Sequence, residues 1–135
     1  MIRLLYHSVS ALHSSHEVDE VASIVKKSIA GNAEVGVTGA LLYTGSHFAQ
    51  ALEGDGERIE QLLRSILADP RHSQVTVVHR DQVAERRFAS WHMAYRGPAT
   101  YVDRVVKELM IANCDVLSAR AIPHVYELMS EFSKP

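Results

Sequence analysis

Residues 36 to 54 read GVTGALLYTGSHFAQALEG, two apolar runs of strand length split by Gly45 and Ser46. Such a pair joined by a glycine-containing turn predicts a hairpin, and a hairpin commits the chain to an antiparallel sheet in one register. The second run, HFAQALEG, carries a polar intruder. Side chains alternate along a strand, so Phe48, Gln50 and Leu52 share one face while His47, Ala49, Ala51 and Glu53 share the other. A carboxamide buried on the apolar face costs about 1–3 kcal/mol unless its ends are hydrogen-bonded. Gln50 therefore calls for a protein partner or a ligand.

The flanking segments supply the rest of a sheet and its cover. IRLLYHS (2 to 8) reads as a first strand with Ile2, Leu4 and Tyr6 on one face. Ser14 and Glu17 form a capping box before a helix whose stripe is Val18, Val21, Ala22, Val25 and Ile29, with Ile24 and Ser28 on a neighbouring flank. Gly31 and Asn32 are predicted to end it. Asp55 is placed to cap a second helix carrying Ile59, Leu62, Leu63, Ile66 and Leu67, which Asp69 and Pro70 stop. QVTVVHRDQVA (74 to 84) reads as a fourth strand and WHMAYR (91 to 96) as a fifth, with Trp91, Met93 and Tyr95 on one face.

The order βαββαββ predicts an α+β, ferredoxin-like sandwich: a mixed five-stranded sheet with two helices on one face. Beyond Gly97 and Pro98, the residues Val102, Val105, Val106, Leu109 and Met110 repeat helically, as do Val125, Leu128, Met129 and Phe132 after Pro123. Two C-terminal helices are expected to cover the other face, approaching closely over the small Ala49 and Ala51. The expected division is a domain over 1–97 and a helical extension over 98–135.

At 135 residues and 47% hydrophobic, the chain has enough apolar mass for one core. A net charge of −2 leaves no electrostatic footprint for nucleic acid or an anionic membrane, so protein or small-molecule partners are expected. Cys114 is alone, which excludes an internal disulfide and a zinc-type pair. The N-terminus, MIRLLYHSVS, is too short an apolar run for a signal peptide, and no stretch approaches the ~18 apolar residues of a membrane span. A cytoplasmic protein is expected. The histidines at 7, 13, 16, 47, 72, 79, 92 and 124 stand in no metal-binding spacing, so no metal is expected.

Tyr6 in the first strand can point the same way as Gln50, and in βαββ connectivity the first and third strands are commonly central neighbours. Asn32 lies where it can reach the same gap between the helices. Two readings stay open. Tyr6 and Gln50 satisfy each other in an ordinary core, which patterning alone favours. Alternatively, Tyr6, Asn32 and Gln50 grip the edge of a polar heterocycle slotted between the helices.

The set LLYHS, GNAEVGVTGALLY, HFAQALEG, ILADPRH and ERRFASWHM, in this order over about residues 1 to 96, resembles the BLUF family, flavin-binding sensors of blue light. The resemblance implies a blue-light photoreceptor that is not itself an enzyme and binds FAD, with FMN or riboflavin as possible substitutes. Tyr6 matches the electron and proton donor to the excited flavin, and Gln50 the amide that bridges this tyrosine to the flavin. Asn32 matches the asparagine that holds the ring's polar edge. Ile24 and Ile66 match apolar residues that sandwich the ring, Phe48 lies against the same pocket, and Ser28 falls on the ring-facing flank. Asp69, Arg71 and His72 match the turn near the ribityl chain and phosphates, with Arg64 a second cationic candidate. Trp91 and Met93 match residues that relay the signal, although both also read as plain core.

The chain departs from the family pattern at Gly31, which removes a possible polar contact, and at Ala49 and Ala51, which replace larger aliphatics. With no enzymatic effector recognisable after Gly97, the expected output is a change in self-association or in docking of an unknown downstream protein. Two rivals are an acylphosphatase-like hydrolase, whose glycine-rich phosphate loop is missing from SVSALHSS, and a flavin-binding or interaction module without photochemistry.

Overall fold

The computed structural model describes residues 1–10, 23, 27, 31, 32, 34–43, 47–70, 72–88, 91–96 and 115–132. Its elements are strands β1 (Ile2–Ser10), β2 (Thr38–Tyr43) and β3 (His47–Gly54), helix α1 (Gly56–Ala68), strands β4 (His72–Gln82) and β5 (Trp91–Arg96), and helix α2 (Asp115–Phe132). One sheet runs β4-β1-β3-β2-β5. The predicted hairpin is present as the antiparallel β2–β3 pair, and β1 lies beside β3 with Tyr6 directly opposite Gln50. β5 joins β2 in parallel, so the sheet is mixed. β1 and β4 each begin or end about two residues from the expected bounds, and β5 matches them.

Alternation sorts the sheet's side chains into two cores. One face presents Leu4, Tyr6, Leu41, Tyr43, Phe48 and Leu52 toward α1, which contributes Ile59 with Leu62, Leu63 and Ile66 half-buried. Leu67, expected in the same stripe, is instead 59% exposed on the outer side of α1. The other face presents Leu5, Ala40, Leu42, Ala49, Ala51 and Phe88 to Val125, Tyr126 and Met129 of α2. The small Ala49 and Ala51 do lie against a C-terminal helix. The helix expected over 102–110 lies outside the described residues.

Three local readings are corrected. Gly31 and Asn32 do not end the first helix, because both are helical, as is Glu34. The stop is Gly36, at φ +71°, a left-handed conformation that glycine adopts without a Cβ clash. There the Val37 N–H donates to the Asn32 carbonyl at 2.9 Å, so Asn32 projects from a helix and not from a loop. Pro123 does not start the last helix but sits inside it. Burial of Val125, Tyr126 and Met129 on the sheet outweighs the one helical hydrogen bond that a proline removes. Asp55 stands at the N-cap of α1, yet its carboxylate makes no capping bond, and only its carbonyl accepts from Ile59 N–H, at 2.9 Å.

Two residues lock the centre of the sheet. A Cβ added to Gly39 would collide with the backbone carbonyl of Ala51, so the β2–β3 approach requires glycine there. Glu53 is fully buried and accepts from Arg3 Nε at 2.9 Å and from the backbone N–H groups of Arg87 and Phe88 at 2.9 and 2.7 Å. It thereby stitches the segment after β4 to the middle of the sheet. Among the described residues, no helix is long and apolar enough to cross a membrane, and no group of His, Cys, Asp or Glu is placed to hold a metal ion.

Replacing Gly39 by Ala is expected to destabilise the fold by about 3 kcal/mol, because backbone must move to admit the methyl group. Glu53→Ala strands two N–H donors and a half-buried guanidinium and is expected to cost about 2–4 kcal/mol. Urea unfolding midpoints compared with wild type check both values.

Candidate functional site

The β1–β3 register brings Tyr6 and Gln50 side by side on the α1 face, 1% and 5% exposed. The phenol O–H donates to Gln50 Oε1 at 2.5 Å. This bond satisfies only the acceptor end of the carboxamide. Its Nε2 has no partner among the described residues, so both readings from sequence meet here: tyrosine and glutamine pair with each other, and a donor is left over.

Above them opens a cavity of about 390 Å³, within the range of small-molecule sites. Its floor is Tyr6, Leu41 and Gln50 from the sheet. One wall comes from the first helical segment, through Lys27, Gly31, Asn32 and Val35, and the other from α1. The α1 wall is Arg58, Gln61, Leu62, Ser65, Ile66 and Asp69. These positions step by three or four residues along one helical face. Sequence reasoning picked out Ile66 and Asp69 for the site but missed Arg58, Gln61 and Ser65, which the same period, counted back from Ile66, would have found.

Arg64 is off that face: it is exposed and does not line the cavity, because at about 100° per residue it lies far around the helix from Leu62. Phe48 is fully buried in the same core cluster as Tyr6, stacked on Tyr43 with ring centroids 4.6 Å apart, and also does not line the cavity. Ile24, Ser28, Arg71 and the side chain of His72 lie outside the described residues. So do the side chains of Trp91 and Met93, whose backbones stand opposite Gly39 and Leu41 in the β2–β5 pairing. A Cβ added at Gly31 would meet nothing within 4 Å, so this departure from the family pattern leaves open space on the cavity wall.

Electrostatics keep the floor neutral. Burial, with a smaller contribution from the Asp69 carboxylate, pushes the Tyr6 phenol well above its usual range, so its proton stays on. Asn32, 3% exposed, sets a second carboxamide on the wall. Two buried amides, each with a donor end and an acceptor end, can read a planar ring edge that alternates carbonyl and N–H groups. Leu41, Leu62 and Ile66 supply the apolar contact such a ring needs. The residues present therefore fit the pyrimidine edge of a flavin.

The family model for sensors of blue-light using FAD matches residues 1–94. The alpha subunit of photoactivated adenylate cyclase from Euglena gracilis is 28% identical over 127 residues, 94% of this chain and 12% of that protein. The blue light- and temperature-regulated antirepressor BluF of Escherichia coli (strain K12) is 39% identical over 72 residues, 53% of this chain and 17% of that protein. The chain thus spans a small part of the length of these curated relatives. Among solved structures, the dark-state structure of BlrB, a BLUF protein, superposes with a TM-score of 0.79 at 26% identity, covering 96% of this chain and 95% of that one. The ground state of BlsA shares the fold, with a TM-score of 0.74 at 24% identity, covering 95% and 87%. By the match of its residues 1–94 to the family model, the chain belongs to the BLUF family, the sensors of blue light using FAD.

Proposed function

We propose that the chain is a blue-light photoreceptor, not an enzyme, that holds FAD between the first helical segment and α1 and signals by rearranging hydrogen bonds at Gln50. The observation that carries this reading is the 2.5 Å bond from the Tyr6 hydroxyl to Gln50 Oε1 on the cavity floor. Bound FAD supplies a ring that absorbs blue light and, once excited, is a strong one-electron oxidant. Tyr6 is the donor. Its phenol is neutral in the dark, so the electron leaves with a proton, which departs along the existing bond toward the Gln50 oxygen. When electron and proton return to Tyr6, the carboxamide has changed which end it presents to the phenol and which to the cavity. No covalent bond differs between the two states, and the signal is the altered network.

Asn32 fixes the ring edge so that the amide of Gln50 meets the same atoms in every molecule, and Ile66 holds the ring against slippage. In this reading Ile24 and Ser28 complete the first wall, Asp69, Arg71 and His72 attend to the ribityl chain and phosphates, and FMN or riboflavin can replace FAD. Trp91 and Met93 act on the β2 side of the floor as relay residues. The sensor spans 1–97 with ferredoxin-like connectivity, and the extension over 98–135 adds two helices on the opposite face. Output is a change in self-association or in docking of a cytoplasmic partner protein. The enzymatic names of some relatives belong to much longer proteins.

Illumination of the flavin-loaded protein is expected to move the oxidised flavin band slightly to the red, with full return in the dark. Tyr6→Phe is expected to bind flavin and abolish the shift, as read by absorption before and after blue light. A shift that persists undiminished in this variant contradicts the assignment of Tyr6. Alkaline titration supplies a light-independent check. Because the folded state holds the Tyr6 phenol above its unfolded value, the unfolded chain releases that proton first, and stability falls as pH rises past about 10. While folded, wild type and Tyr6→Phe are therefore expected to give the same phenolate absorbance up to about pH 10.5.

A further inference from the structure

The sheet face turned away from the cavity holds a polar cluster for which the photochemistry has no use. Glu53 sits on β3, three positions beyond Gln50 and on the opposite face. Its direct partner across the strand pair is Arg3, on β1, the strand that carries Tyr6. The Arg3 guanidinium meets the Glu53 carboxylate at 2.8 Å, and the backbone N–H of Arg87 reaches the same carboxylate at 2.9 Å. Both arginines then turn to one ring. Their guanidinium carbons lie 5.7 Å (Arg3) and 5.6 Å (Arg87) from the centre of Tyr126 on α2. The Tyr126 hydroxyl is 2.9 Å from Nδ1 of His79 on β4, and Arg87 Nε donates to Ser130 Oγ, also on α2, at 2.9 Å.

Tyr126 is 5% exposed, and burial keeps its phenol neutral and available to His79. The docking of α2 therefore has two parts of different character. Val125 and Met129 pack among Leu5, Leu42, Phe88 and the alanines, an apolar contact with no directional requirement. The contact of the Tyr126 ring with two guanidiniums is directional, because cation–π attraction depends on the placement of each cation over the ring face. Those cations are anchored through Glu53 to the same two strands that carry the Tyr6–Gln50 bond, only about 10 Å further along them. A shift between β1 and β3 at Gln50 moves the neighbouring Ala49 and Ala51, whose apolar contact with α2 has no directional requirement, and three positions on it moves Arg3 and Glu53, which set the cations at the ring.

We propose that Tyr126 is the residue through which the C-terminal helix reads the sheet: the cluster of Glu53, Arg3 and Arg87 grips its ring in the dark and loosens it when the Gln50 network rearranges. Tyr126 is a positioning residue and touches nothing in the flavin site. The proposal rests on the photoreceptor reading above, and the test separates the two. Amide hydrogen exchange of α2 is followed in the FAD-loaded full chain, dark and illuminated, for wild type, Tyr126→Leu, Tyr126→Phe and Arg87→Gln, with the absorption shift recorded on each sample.

In wild type, light is expected to raise exchange of α2 several-fold, reversibly. Tyr126→Leu is expected to exchange fast in the dark and to ignore light while keeping the full absorption shift. Tyr126→Phe, which retains the ring, is expected to keep the light response, and Arg87→Gln, altered at an exposed site that leaves the core intact, to lose most of it. An absorption shift with unchanged α2 exchange in wild type overturns the proposal. So does a wild-type light response in both Tyr126→Leu and Arg87→Gln. A wild type with no absorption shift overturns the photoreceptor reading, while equal dark exchange in wild type and Tyr126→Leu overturns the grip itself.

Discussion

A buried carboxamide has two ends, and among the described residues Gln50 has a partner for only one. The Tyr6 hydroxyl donates a hydrogen bond to Gln50 Oε1, leaving the amide's N–H donors beside a cavity walled by two helical segments. This arrangement depends on register. A slip of one residue in β3 would swing Gln50 to the α2 face and turn the carboxylate of Glu53 into the apolar core on the α1 face. The hairpin to β2, the glycine at position 39 and the anchoring of Glu53 by Arg3, Arg87 and Phe88 all oppose that slip. Residues that never touch the cavity thus decide what it can bind.

The two faces of the sheet are built for different ends. On the cavity side, α1 is fully buried only at Ile59, while along the wall Leu62, Ile66 and Asp69 are half-buried and Arg58, Gln61 and Ser65 are exposed, which leaves room for a flat ligand to complete the packing. On the far side, small alanines let α2 settle directly on the strands, with Tyr126 filling the place where the arginines converge. A rearrangement on one face can reach the other only through the strands, which are rigid along their length and share their registers. Placing Gln50 and Glu53 on one strand and Tyr6 and Arg3 on its neighbour makes that route short.

Elements with a strong local period were readable from sequence. The hairpin, the fifth strand, the inward positions Ile59, Leu62, Leu63 and Ile66 of α1 and the Tyr6–Gln50 neighbourhood all follow from alternation or helical spacing. The misreadings came where local preference and tertiary burial disagree. Gly31 resembles a helix terminator, yet the left-handed turn falls at Gly36. Pro123 resembles a helix start, yet packing carries the helix through it. Arg64 sits near the right residues in sequence but on the wrong side of the helix, whereas Arg58, two turns before Ser65, lines the wall. Glu53 gives no hint of burial, because its partners come from the aperiodic segment after β4 and from a distant strand. Tyr126 falls beside the apolar stripe of Val125 and Met129 and is held there by cations that no periodicity reveals.

The central claim is that Gln50 changes its hydrogen bonding between dark and light. The most direct measurement is a light-minus-dark infrared difference spectrum of the FAD-loaded protein with Gln50 alone carrying an isotope-labelled side-chain carbonyl. The account predicts a carbonyl band that moves with the label, appears with the red-shifted flavin spectrum and disappears at the same rate in the dark. A red shift accompanied by no label-sensitive band would contradict it, leaving Gln50 as a static member of the core and placing the switch elsewhere.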